Sequence, residues 1–473
     1  MTDDKRPAKT FDRTIVDGPL SRAVWKLAWP TMLQNVVGGL QGIIDQAMVG
    51  NYVGHTGNAA IGVSLQIFIL VIVFVASVFS GMGVLVARFA GADKPEEVNR
   101  TVFQAFLTAV FLALGVLAPL GYVLAPALLD MINAAPEVQV EALPYLRVSF
   151  VFSIGMLIFF MMSGALRAAG DARTPMRLGI LMTVLNIVLN VVLIRGLGPI
   201  PAFGTLGAAM GTAIASGITG AAFLWLLFSG RLVIHFTRGM SLRPDWAVIR
   251  ELFRFGLPTG FQGIVMNVAG VLLLRFIGSL QYSAQAQAAF AVGYTELFSL
   301  ITWTSVGLMG ATAAVAGQNL GAGRPERSKR AALVAASIGV GVACIVGLAF
   351  LTVPRALLAV FGMDEGVQFE IGRQLLAYLA VSGLFVTVAL TYTGGLQGTG
   401  DTRSPLYISI VSQVLIPIGL CTWLQATRGL EPTDIWLAIV LGHMTRAGLS
   451  VARFRQGKWR DIQIDIGTGP ARA

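Results

Sequence analysis

Apolar residues in this chain gather into long unbroken runs separated by short polar stretches. Strands would show short alternating runs, and soluble helices a one-sided apolar stripe; neither pattern fits. Twelve runs are long enough to cross a bilayer as helices: 28–51, 58–87, 101–128, 138–166, 175–195, 206–230, 249–278, 284–316, 330–353, 367–396, 405–424 and 434–452. Several exceed the ~20 residues a span requires, so those helices tilt or project into water. Transmembrane barrel strands are short and alternate, which excludes a barrel. The expected fold is all-α and integral to the membrane, with twelve transmembrane helices.

The runs also repeat. Residues 85–175 and 315–405 share one pattern, shifted by 230 positions. Gly91, Pro95 and Glu96 meet Gly321, Pro325 and Glu326; Gly170, Asp171, Arg173 and Pro175 meet Gly400, Asp401, Arg403 and Pro405. Upstream, Pro30, Thr31 and Gln34 match Pro258, Thr259 and Gln262 at a shift of 228. The period is too long for a solenoid unit, so the chain is two copies of a half. It divides into a cytoplasmic N-terminal tail (1–27), an N-lobe (28–230), a cytoplasmic linker (231–248), a C-lobe (249–452) and a cytoplasmic C-terminal tail (453–473).

Charge sets the expected orientation. Charged residues are only 12% of the chain and hydrophobic ones 55%, far from soluble proportions. The net charge of +10 is not spread as nucleic-acid binding requires. With the N-terminus inside, 28 of the 34 Lys and Arg fall on inside segments or helix ends; Arg147, Arg195, Arg275, Arg355, Arg373 and Arg428 fall outside. This asymmetry predicts a multi-pass protein of the cell inner membrane with both termini cytoplasmic. Six spans per half then make the halves parallel repeats rather than inverted ones, the architecture of a transporter with its path between halves. The polar first 20 residues are no signal peptide. Cys344 and Cys421 lie in apolar runs, so no disulfide framework is expected.

In the loops, Thr174-Pro175 and Ser404-Pro405 read as helix starts with a hydroxyl cap. Pro95-Glu96 and Pro325-Glu326 start helices with an acid in the first turn. The chain resembles the multidrug and toxic compound extrusion (MATE) transporters from about Pro30 to Trp459. The resemblance is carried by "PTMLQNVVGGLQGIIDQAMVG" with Pro30 and Asp45, the paired "AGADKPEE" and "LGAGRPER", "ALRAAGDARTPM", "LNIVLN" and "GTLGAAMGT". It implies two six-helix lobes and export of amphipathic organic cations in exchange for H+ or Na+.

Of the 24 Asp and Glu, only Asp45 and Glu296 lie well inside the runs. A membrane-depth charge costs about 2.5–3.5 kcal/mol or more, so such an acid faces a cavity, a partner or an ion. For Asp45 the bland alternative is an ion pair with Arg275 or Arg195. Asn186 and Asn190 are one helical turn apart and share a face. The resemblance groups Asp45, Asn186, Asn190 and Thr212 as the cation or proton site of the N-lobe, with Na+ as a possible occupant. It also implies that a bend at Pro30, fifteen residues before Asp45, links protonation to substrate release. Asn at both 186 and 190 follows the NorM-like branch rather than the DinF-like one, yet 262–267 and 385–388 lack the C-lobe acids of that branch.

Substrate-binding candidates are Glu296, with Tyr294, Phe298, Trp303 and Met266 offering cation–π and adaptable thioether surfaces. An aromatic stripe at this spacing also suits plain packing. His443 reads as a core histidine. No P-loop, metal-ligand cluster or nucleophile triad is present, so no cofactor, ATP-driven pump or enzyme is expected. The expected partners are the bilayer and small amphipathic molecules, not nucleic acid, and the expected state is a monomer. A lipid-linked precursor flippase is disfavoured by twelve spans without a membrane-core Arg cluster. A channel is disfavoured by buried acids in a duplicated architecture.

Overall fold

The computed structural model describes residues 10–237, 239–464 and 466. The protein is helical from one end of these to the other. We number the long helices α1 (Leu20–Tyr52), α2 (Thr56–Gly91), α3 (Pro95–Met131), α4 (Pro136–Val151 with Ile154–Ala168), α5 (Arg173–Arg195), α6 (Gly204–Phe228), α7 (Trp246–Gly278), α8 (Ser283–Gly321), α9 (Pro325–Thr352), α10 (Gly366–Thr399), α11 (Arg403–Thr427) and α12 (Pro432–Arg455). Among the described residues ten of these are long and apolar enough to span a membrane, and α4 makes eleven if its two segments, bent by 52°, form one span. The remaining expected span is α1. Its 33 residues suffice in length, but Gln34, Asn35, Gln41, Asp45 and Gln46 dilute its apolar character. Large apolar side chains such as Val123, Val271 and Ile345 stand exposed on these helices, as lipid-facing positions must.

The repeat is visible in backbone conformation. Gly170 and Gly400 both end their helices with positive φ, at 102° and 99°, a geometry glycine adopts without a Cβ clash. The next residue caps the following helix. Asp171 Oδ1 accepts from the backbone N–H of Arg173 and Thr174, each at 3.0 Å, and its Oδ2 from the Thr174 hydroxyl at 2.6 Å. Asp401 does the same for Ser404 and also takes Arg453 Nε at 2.8 Å. The cap is therefore the aspartate, not the hydroxyl read from the sequence. A carboxylate one turn earlier outcompetes the hydroxyl for the free N–H groups.

Two compact units divide inside helices. One is built on Leu33–Gly260, the other on Arg13–Met32 with Phe261–Gln463. The divisions follow Pro30 and Pro258, prolines inside α1 and α7, by two residues each. The start of α1 is thus a member of the second unit, where Met32 closes on Gly307. The start of α7 belongs to the first, where Gly256 lies against Val78 and a Cβ on Gly81 would meet the Leu252 carbonyl at 2.1 Å. Residues 243–245 are also tied into the first unit. Gln104 on α3 bonds both Arg243 O and Asp245 N at 3.1 Å, and Arg100 forks onto Asp245 at 2.8 and 2.5 Å.

Candidate functional site

Asp45 sits two turns before the end of α1, facing α5. Its carboxylate makes no ion pair among the described residues; Arg195 instead lies over the Tyr52 ring at 5.8 Å. Amides surround it. Asn190 Nδ2 donates to Asp45 Oδ1 at 2.7 Å, and Gln41, one turn earlier on α1, donates as well. Donor–acceptor matching turns the Asn186 amide nitrogen toward Asp45 (2.9 Å to Oδ1, 3.3 Å to Oδ2). Its oxygen then accepts from Thr212 N and Oγ1 at 3.3 and 3.0 Å. Thr183 Oγ1 holds Gln41 Oε1 at 2.9 Å. The sequence-predicted quartet of Asp45, Asn186, Asn190 and Thr212 is therefore one contiguous network, with Gln41 and Thr183 as members that sequence reasoning missed. Gln41 could have been found as the residue one turn before Asp45 on the same helix face.

Packing fixes the network. Asn186 and Asn190 are both fully buried. Gly211 on α6 makes room for Asn190: a Cβ there would stand 2.0 Å from Asn190 Oδ1. That oxygen has no hydrogen-bond partner. The groups turned to the carboxylate are amide N–H donors, which suit a carboxylate and leave few oxygens converging on the place a metal ion would occupy. No group of three or more His, Cys, Asp or Glu gathers anywhere among the described residues.

The substrate-contact candidates belong to the second unit. Phe298 is fully buried, stacks on His443 at 6.1 Å and packs with Tyr294 at 5.4 Å. Tyr294 stacks on Phe290 at 4.8 Å. Glu296 is half-buried and makes no ion pair among the described residues. It lies with Tyr294 in a π-helical stretch, Ala291–Leu297, a widened turn frequent at functional sites. Trp303 and Met266 are half-buried. His443 Nδ1 meets Ser382 Oγ at 2.5 Å, as a satisfied core histidine does. Arg446, counted from the sequence among the cations at helix ends, is instead buried in the body of α12.

The MatE family model matches the chain over residues 30–192 and 258–423, once in each half. The chain is 29% identical over 442 residues to the probable multidrug resistance protein NorM of Thermotoga maritima, covering 92% of both chains. It is 25% identical over 448 residues to the multidrug resistance protein MdtK of Pectobacterium atrosepticum, covering 92% of this chain and 95% of that one. Among solved structures it resembles an outward-facing multidrug resistance MATE family transporter of the MOP superfamily, with TM-score 0.88 and 22% identity over 96% of this chain and all of that one. A MOP superfamily transporter from Pyrococcus furiosus is as similar, with the same TM-score, identity and coverage. These structures share the fold, and the family model spans most of the chain in two matched halves. The chain therefore belongs to the MatE family: it is a multi-pass membrane transporter of the MATE type, not an enzyme.

Proposed function

We propose that this transporter is a secondary antiporter of the inner membrane that exports lipophilic cationic compounds, with Asp45 as its coupling residue and H+ as its coupling ion. One observation carries the reading: Asp45 is the acid of a buried amide network on membrane-spanning helices, without a cationic partner among the described residues. A carboxylate so placed is neutralised by whatever cation the gradient delivers. Na+ would need several oxygens to converge, whereas a proton needs one. The amide nitrogens facing Asp45 favour the proton. The names of the NorM and MdtK relatives point to drugs as cargo.

Coupling then follows from differential binding. Protonated Asp45 and bound substrate stabilise different states of one protein, so each lowers affinity for the other. A 100 mV potential supplies about 2.3 kcal/mol per charge moved, enough for a concentration ratio of tens. Glu296, with Tyr294, Trp303 and Met266 on the second half, is the proposed contact for the cationic substrate, and Pro30 the proposed bend in α1. Phe298 supports this set by packing. The repeat halves, 28–230 and 249–452, act as the two lobes of a monomer with both termini in the cytoplasm.

The test is ethidium efflux from proteoliposomes under separately imposed proton and sodium gradients. Asp45→Asn keeps size and hydrogen-bonding capacity but removes the titratable group. The folded variant is expected to retain ethidium counterflow and lose proton-driven efflux. Full gradient-driven efflux by that variant refutes Asp45 as coupling residue; efflux driven by sodium alone refutes the proton. Counterflow itself separates a carrier from a channel. Labelling of cysteines placed in the tails from the periplasmic side would refute the orientation, which rests on the 28-to-6 division of Lys and Arg.

A further inference from the structure

α12 carries a file of buried hydrogen-bond donors that the export reading does not use. Trp436, His443, Arg446 and Ser450 share one face at helical spacing, and each is at most 5% exposed. Arg446 lies nine residues before the end of α12, roughly 14 Å along the helix from Arg455. Its Nε is buried without a hydrogen-bond partner. Among the described residues the guanidinium makes no hydrogen bond and no ion pair. Its electrostatic neighbours are the Tyr294 hydroxyl and the His443 ring. Neither is an acid that would neutralise it. Trp436 Nε1 and Ser450 Oγ are likewise buried and unpartnered.

A buried unpaired cation is among the most costly arrangements a protein can hold, and membrane-depth charges normally pair or line a pathway. Guanidinium presents five N–H donors in a planar fork that matches carboxylate, sulfonate and phosphate oxygens. The surroundings select the same partner. Tyr294 offers an O–H donor and Phe290, Phe298 and Trp436 supply apolar ring surface. The burial pattern of α6 repeats that of α12 at a shift of 227 positions, the separation of Gly230 and Gly457, which have positive φ after the two helices. In that register Arg446 corresponds to Thr219, whose hydroxyl bonds back to Ala215 O at 2.9 Å. The architecture is therefore satisfied by a small residue at this position, and packing alone does not call for an arginine.

We propose that the second unit holds an anion-recognition site centred on Arg446, which takes the carboxylate, sulfonate or phosphate group of an amphipathic ligand. The site goes beyond export of cations; it shares Tyr294 with the proposed cation contact but does not depend on Asp45. A free anionic or zwitterionic substrate and an anionic lipid headgroup share this chemistry.

Thermal stability of the purified full chain in nanodiscs tests it, with three probes of equal tail: octane-1-sulfonate, octylammonium and octan-1-ol. In phosphatidylcholine discs the sulfonate is expected to raise Tm and the other two are not. Arg446→Gln should weaken the sulfonate response by roughly tenfold or more, the worth of a charge-assisted hydrogen bond, while Arg446→Lys keeps part of it. Without probe, Arg446→Gln should melt no lower than the parent, because the charge it removes has no partner. A sulfonate response that survives in Arg446→Gln, or equal responses to all three probes, overturns the proposal. So does a large drop in Tm of probe-free Arg446→Gln, which would mean that protein contacts already satisfy the guanidinium. Repeating the titration in phosphatidylglycerol discs separates the sources. Loss of the response there assigns the site to a lipid headgroup, and persistence assigns it to a free ligand; either supports the anion site.

Discussion

The first half holds a carboxylate among amides; the second holds a guanidinium among a phenol, an imidazole and a hydroxyl. Asp45 is satisfied by donors from Asn186, Asn190 and Gln41, whereas Arg446 has no partner for its buried Nε. The two halves keep the same turns, down to φ of 102° and 99° at Gly170 and Gly400. Duplication has preserved the turns and freed the buried polar positions to diverge: Arg446 stands where the first half has Thr219, and Leu273 where it has Asp45. Function in a duplicated transporter is therefore to be sought where the copies differ, not where they agree.

Removing the acid should break this comparison most completely. Asp45→Asn is expected to reduce proton-driven efflux to background with unchanged membrane yield, leaving the sulfonate response of Arg446 intact. Loss of both would mean that the two sites are one. Gly211→Ala comes next. The new Cβ would stand 2.0 Å from Asn190 Oδ1, forcing Asn190 off Asp45. Overpacking of this kind costs about 1–3 kcal/mol, so efflux should fall roughly tenfold and Tm by several degrees. A variant as active as the parent would show that the Asn190–Asp45 bond is dispensable.

Glu296→Gln should weaken cationic substrates several-fold more than neutral ones, because it removes charge while nearly keeping shape. Equal losses for both classes would reduce Glu296 to a structural polar residue. The smallest effects are expected from Thr212→Ala and Thr183→Ala. Each removes one neutral hydrogen bond, worth about 0.5–1.5 kcal/mol, and efflux assays at sub-saturating gradient should resolve the change. Losses as large as that of Asp45→Asn would make those hydroxyls direct ligands of the coupling ion.

Asp45 was legible in the sequence because an acid inside an apolar run is rare, and the Asn186–Asn190 spacing placed both amides on one face. Gln41 escaped because a neutral polar residue near a polar patch carries no such contrast. Arg446 escaped for a different reason: charge counting along the chain assigns a cation to the nearest helix end, and only the structure reveals that this one is buried in the body of α12. The 52° bend in α4 was also invisible. No proline marks Phe152–Ser153, and the bend coincides with a close approach of Gly155 to Gly217 that sequence spacing cannot report. The π-helical stretches at Phe111–Leu117 and Ile410–Leu415 each end two residues before a proline, Pro119 and Pro417, whose missing N–H disturbs the helix ladder, whereas Ala291–Leu297 has no such mark. By contrast, the aspartate caps at Asp171 and Asp401 could have been read, since both precede the helix start at matched positions.

The membership of Arg13–Met32 in the second unit has a consequence for how the chain is made. Ile15, Val16 and Gly18 offer their carbonyls to Asn319, Arg324 and Arg327, and Asp17 pairs with Arg324 at 2.8 Å. Their partners leave the ribosome about 300 residues later, which at ~5–20 residues per second is roughly 15–60 s. For that interval this early segment is without these neighbours, and Asn319, Arg324 and Arg327 find their partners only by recovering it. Assembly of the second unit thus waits on a segment made about 300 residues before its partners.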